Sequence, residues 1–195
     1  MIWWLKARRV HPVLTLAVGA FVLLTFVFRD NAVVLPSFSV SAGNNVVLSF
    51  FTPLIVVGAI GQCLDARLPS AELTGLRPVG WMDTGLALAA MGVVLVGSGA
   101  AWLSLDSGAA LQAGRNTVFL TGLMLLGRGF VGRAAIMLPL AWVFVVVFFG
   151  RKTGAAYHAW AVTGLEASHQ YAAALAAATF VVGVSVNQYT SRTAL

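Results

Sequence analysis

Six stretches of this chain carry no charged residue over most of their length, and those lengths decide what it can fold into. Residues 13–28, 46–64, 84–105, a stretch from about 109 to 127, 134–150 and 172–186 are apolar blocks separated by polar intervals. A hydrocarbon layer about 30 Å thick takes roughly 20 helical residues to cross, and most of these blocks approach that length. Only 9% of the residues are charged and 59% are hydrophobic, whereas soluble domains hold about 25% charged residues. Lipid must therefore be the solvent for much of the chain. The sequence predicts an all-α, polytopic integral membrane protein with six transmembrane helices in a single domain, 1–195.

The blocks differ in how easily they span. Block 84–105 is the cleanest. The first, 13–28, is short, and His11 and Pro12 extend it; a proline suits the first turn of a helix. Ahead of it, Trp3, Trp4, Lys6, Arg8 and Arg9 predict an N-terminal interfacial helix, tryptophans toward the acyl chains and cations in water. With Phe28, Arg29, Asp30 and Asn31 following the block instead of small residues, the segment reads as an uncleaved anchor. The fourth block is the awkward one. Arg115 and Arg128 are separated by 116–127 alone, about 18 Å of helix at 1.5 Å per residue. Either both arginines extend outward to the interfaces or Arg115 sits inside the bundle against a partner. Because an arginine at mid-membrane costs on the order of 3 kcal/mol, the helix is expected to begin near Ala109, with Arg115 near the outer surface.

Cations set the orientation. With both termini inside, the cytoplasmic side holds Lys6, Arg8, Arg9, Arg67, Arg77, Arg128, Arg133 and Arg192, and the outer side Arg29, Arg115, Arg151 and Lys152. That eight-to-four ratio predicts a multi-pass membrane protein with both termini cytoplasmic. It also accounts for the net charge of +6 without nucleic acid as a partner. Cys63 is alone, so no internal disulfide can form. No pair of acids has metal-ligand spacing, no phosphate-binding glycine loop occurs, and Ser98, within Gly97-Ser98-Gly99, reads as a helix-packing residue. No catalytic residue, cofactor site or metal site is expected, so the chain is not read as an enzyme.

One polar interval stands apart, 64–81, with Asp65, Arg67, Glu72 and Arg77 and with Asp83 just beyond. Pro69 precedes Ser70, an N-cap residue, and Glu72 falls in the first turn, where its charge complements the helix dipole. Arg77 precedes Pro78, which disfavours helix there. A short helix over 71–76 is predicted, with Leu73 and Leu76 on one face and Arg67, Glu72 and Arg77 around it. Such a rod either rests on the membrane or docks onto a soluble partner, and its defined start and stop favour docking. A second polar region, 151–171, carries His158, Trp160, Glu166 and His169 among small residues.

These features resemble the six-span permease subunits of bacterial ATP-binding-cassette exporters, the type-2 export permease superfamily. The stretch from Arg67 to Pro78 is similar to that family's coupling helix between the second and third spans. RNTVFLTGLMLLGRGFVGRAAIMLPLAWVFVVVFFG, 115–150, resembles its fourth and fifth spans. His158-Ala159-Trp160 resembles part of an outer re-entrant segment before the last span, which would also hold Glu166.

The resemblance implies a transmembrane subunit that couples ATP hydrolysis in a separate ATPase subunit to efflux of a substrate. ATP and Mg would be bound by that partner. Ser70 and the flanking Arg67, Glu72 and Arg77 would form the polar part of the contact, Leu73 and Leu76 its anchors. A second permease copy, or a similar permease, would complete the path. The alternative is a non-transporting membrane accessory or immunity protein with the same topology. A free-standing channel or secondary carrier is weakened by the expected lack of buried charge. Gly58, Gly61, Gly92 and Gly97 are read as close-packing positions.

Overall fold

The computed structural model describes residues 10–28, 32–35, 44–66, 79–152 and 156–193. The N-terminal interfacial helix, which falls on 1–9, and the coupling helix, with Arg67, Ser70, Glu72, Leu73, Leu76 and Arg77, lie outside the described residues.

Helices dominate. In chain order they are α1 (Val10–Val27), α2 (Thr52–Asp65), α3 (Val79–Leu105), α4 (Gly108–Val131), α5 (Met137–Phe149) and α6 (Gln170–Thr193). Four helical stretches are long and apolar enough to cross a membrane: Val10–Val27, Gly80–Ser104, the run Gly108–Phe149 and Gln170–Thr190. Thr52–Asp65 is apolar but shorter. In length and composition these helices are consistent with a multi-pass membrane protein.

Three boundaries differ from the sequence reading. Residues 46 and 47 begin no helix. They belong to β2 (Asn44–Val47), which pairs antiparallel with β1 (Ala32–Leu35), Ala32 opposite Val47 and Leu35 opposite Asn44. Paired valines suit a strand, and α2 starts only at Thr52, with Pro53 in its first turn. At the other extreme, α3 starts at Val79, inside the interval read as a connector. The polar tail after 186 continues as helix to Thr193.

The run Gly108–Phe149 folds back on itself. A 3-10 turn over Gly132–Ile136 separates α4 from α5, and Gly132 takes φ +61°, a backbone conformation that glycine adopts without strain. Added side-chain atoms at Gly127 would strike Leu138, and the Phe119 and Trp142 rings lie 5.3 Å apart. α5 therefore runs antiparallel to α4. α3 does so too, with Gly114 against Ser98, while α6 runs parallel to α4. One end of the bundle gathers Asp65, Thr84, Arg128 and Gln188. The opposite end gathers the α3–α4 turn, Arg151, Lys152 and residues 156–169.

Val56, Ile60, Val94, Leu120, Met124, Val143 and Val146 are fully buried where these helices face one another. Leu16, Val96, Leu103, Phe130 and Val181 are instead well exposed, an arrangement suited to lipid contact.

α4 and α6 make the most extensive contact in the bundle, and glycine permits it. A Cβ on Gly122 would lie 2.5 Å from the Phe180 nitrogen, and one on Gly183 would strike the Gly122 carbonyl. Of the expected packing glycines, Gly61 has no room for a Cβ, which would lie 2.8 Å from Ile136, whereas one on Gly97 would make ordinary contact with Val22 at 3.5 Å. Gly58 and Gly92 do not act this way, because a Cβ at either would meet nothing within 4 Å. Ser98 is a packing residue, as expected: a Cβ on Gly114 would lie 2.6 Å from its hydroxyl oxygen.

Candidate functional site

α4 carries polar chemistry at both ends, and each end is built from different partners. Near its start, Gln112, Arg115 and Asn116 recur three and four residues apart and so share one face. That face meets the main chain of 162–166. Gln112 Nε2 donates to the carbonyls of Thr163 and Leu165, both at 3.0 Å. The Arg115 guanidinium donates to the carbonyls of Glu166 and Leu165, each at 2.6 Å, and of Val162 at 3.2 Å. It also reaches the Asn116 side-chain oxygen at 3.3 Å. Asn116 Nδ2 donates to the Thr163 carbonyl at 2.8 Å.

The helix begins at Gly108, close to the expected Ala109, but Arg115 does not reach toward a surface. It is 8% exposed, enclosed by the segment that folds over it. Extending to the interface would hydrate the charge, but the segment's carbonyls supply equivalent oxygen acceptors inside the protein, so burial is tolerated. No carboxylate among the described residues pairs with Arg115. Its contact with Glu166 is to the main-chain oxygen, and the Glu166 side chain is exposed.

The segment has a shape of its own. A bridge pairs Arg151 with Tyr157, whose ring lies 5.5 Å from the Arg151 guanidinium carbon. Residues 161–164 are buried, with a 3-10 turn over Val162–Gly164. They lie against 112–116, roughly 6–12 Å along α4 from its start at 1.5 Å per residue. His158 stacks near Trp160 (6.2 Å, 18°), and Trp160 meets Trp142 edge to face at 6.3 Å. His158 and Trp160 thus share an aromatic row ending on Phe119, while Glu166 contributes its backbone.

At the other end of α4, Arg128 Nη1 donates to Asp65 Oδ1 at 2.7 Å. Asp65 is the last residue of α2, one residue short of the connector 67–78. The pair is partly buried, with side-chain exposures of 10% and 24%. Nearby, Gln188 on α6 donates to Thr84 on α3 at 3.0 Å. The sequence reading placed Arg128 and Asp65 at one interface without pairing them; their shared membrane depth was the available signal. Among the described residues no group of His, Cys, Asp and Glu could hold a metal ion.

In length and apolar composition the helices fit one broad class, the helical multi-pass membrane proteins. No protein-family model, no curated protein and no solved structure matches the chain.

Proposed function

We propose that the chain is the transmembrane permease subunit of an ABC-type exporter of the bacterial cell membrane. In this reading its six helices all cross, its termini are cytoplasmic, and the 67–78 connector docks onto a separate ATPase subunit that binds ATP and Mg. A second copy or a similar permease completes the substrate path. The observation that carries the reading is the Asp65–Arg128 pair. It ties the foot of the connector to α4, and α4 is tied to α6 through Gly122 and Gly183. A displacement of the connector would thereby reach the long helices instead of dissipating in a loose loop.

Co-purification in mild detergent tests it. Leu73→Asp together with Leu76→Asp should remove the ATPase subunit from the tagged chain while leaving the chain in the membrane. An ATPase retained by the double variant, or none bound to the unaltered chain, would favour the accessory or immunity reading.

A further inference from the structure

We propose that residues 156–169 form a strap that opens as a unit, independently of the helix bundle, and that Gln112, Arg115 and Asn116 are its latch. Three observations carry this. First, the strap's described internal hydrogen bonds are short-range: Ala161 to His158, Val162 to Trp160, Gly164 to Ala161 and His169 to Glu166. They survive if the strap lifts. Second, main-chain bonds at its two ends (His158 to the Gly150 carbonyl, Lys152 to the Ala156 carbonyl, Ala172 and Ala173 to the His169 carbonyl) serve as hinges. Beyond these, its polar anchoring comes from one face of one helix, through two bonds from Gln112, three from Arg115 and one from Asn116. Losing that face releases the carbonyls of 162, 163, 165 and 166 together.

Third, the latch is poised. The acceptors facing Arg115 are carbonyl and amide oxygens, which water replaces one for one on opening. A buried carboxylate partner would make separation much harder, since each charge would then lose its counter-charge. The closed state is also imperfect, because Arg115 Nε and the Thr163 hydroxyl are buried with no hydrogen-bond partner. Opening hydrates both. Local opening of such a unit is a recognised mode of native-state fluctuation. This inference does not rest on the exporter reading and holds whatever the chain's partner is.

Thr163 provides the probe, since it is 1% exposed and its hydroxyl has no partner to lose. Thr163→Cys introduces a thiol in the strap, and the native Cys63, 1% exposed in α2, reports on the bundle. Labelling of the full-length protein in proteoliposomes with N-ethylmaleimide is read peptide by peptide by mass spectrometry. In the Thr163→Cys protein both thiols should be protected. Adding Arg115→Met should raise labelling at position 163 by about tenfold or more with Cys63 unchanged, as expected for local opening. Gln112→Ala, which removes two of the bonds, should give a smaller rise in the same direction, and it decides the matter if the Arg115 variant does not accumulate. The proposal is overturned if both thiols become reactive together. It is equally overturned if position 163 stays protected in the latch variants.

Discussion

At one end of α4, Arg128 meets a carboxylate, while about 20 Å away along the same helix Arg115 meets only oxygens without net charge. The first contact is one Nη1–Oδ1 bond between side chains, partly open to solvent. Its geometry is forgiving, and its contribution is modest because exposed pairs are screened. The second uses the guanidinium's fixed fork to hold several carbonyls at once. The ion pair joins two helices that are already helical; the clasp gives position to a segment whose own bonds are all short-range. One fastens, and the other shapes. Between the two ends, the Gly122–Gly183 crossing brings the α4 and α6 main chains into direct contact.

The largest expected effect breaks that middle. Gly183→Leu would drive a side chain into the Gly122 carbonyl, and main chain cannot move aside as a flexible side chain can. Loss of the monodisperse peak in detergent size-exclusion chromatography is expected. Gly92→Ala is the contrast. Open space surrounds that position, and alanine is the better helix former by up to about 1 kcal/mol. A Gly92→Ala protein that collapses while Gly183→Leu survives would reverse the assignment of the crossing.

The next effect separates the two arginines. Arg128→Lys should be tolerated within about 0.5 kcal/mol, because one ammonium donor can replace one Nη1 contact to Asp65. Arg115→Lys should cost about 1–3 kcal/mol, since a lysine cannot present the fork and leaves buried carbonyls short of donors. Thermal unfolding of the purified protein in one detergent measures both. Equal losses at the two positions would mean that the ends do not differ in kind.

Much of the bundle was legible from charge spacing. The start of α4 was fixed within a residue because an arginine so near a neighbouring arginine demanded a longer helix than the charge-free block. What Arg115 touches was not legible. Its partners are main-chain oxygens about fifty residues away, and a carbonyl leaves no signature in the residue types that present it. The Gly122–Gly183 crossing was hidden for another reason: with 20 glycines in the chain, glycine alone marks no contact. The hairpin of β1 and β2 was missed because its valines read equally well as the start of an apolar helix, and only pairing with 32–35 decides for strand.

The smallest effect tests whether the polar chemistry of α4 belongs to its ends alone. Thr121 is fully buried beside Gly122, midway between the two arginines, and its hydroxyl has no hydrogen-bond partner. Thr117, one turn earlier and also fully buried, donates to the Ala113 carbonyl at 2.8 Å. Valine keeps the shape of threonine and removes the hydroxyl, so each substitution measures that group nearly alone. Thr121→Val should leave thermal stability unchanged or raise it by up to about 1 kcal/mol, because an unsatisfied buried hydroxyl is unfavourable. Thr117→Val should lower it by about 0.5–1 kcal/mol, the net worth of one neutral hydrogen bond. A loss at Thr121 as large as that at Thr117 would place a polar interaction in the middle of the helix, where the contrast between its ends leaves none.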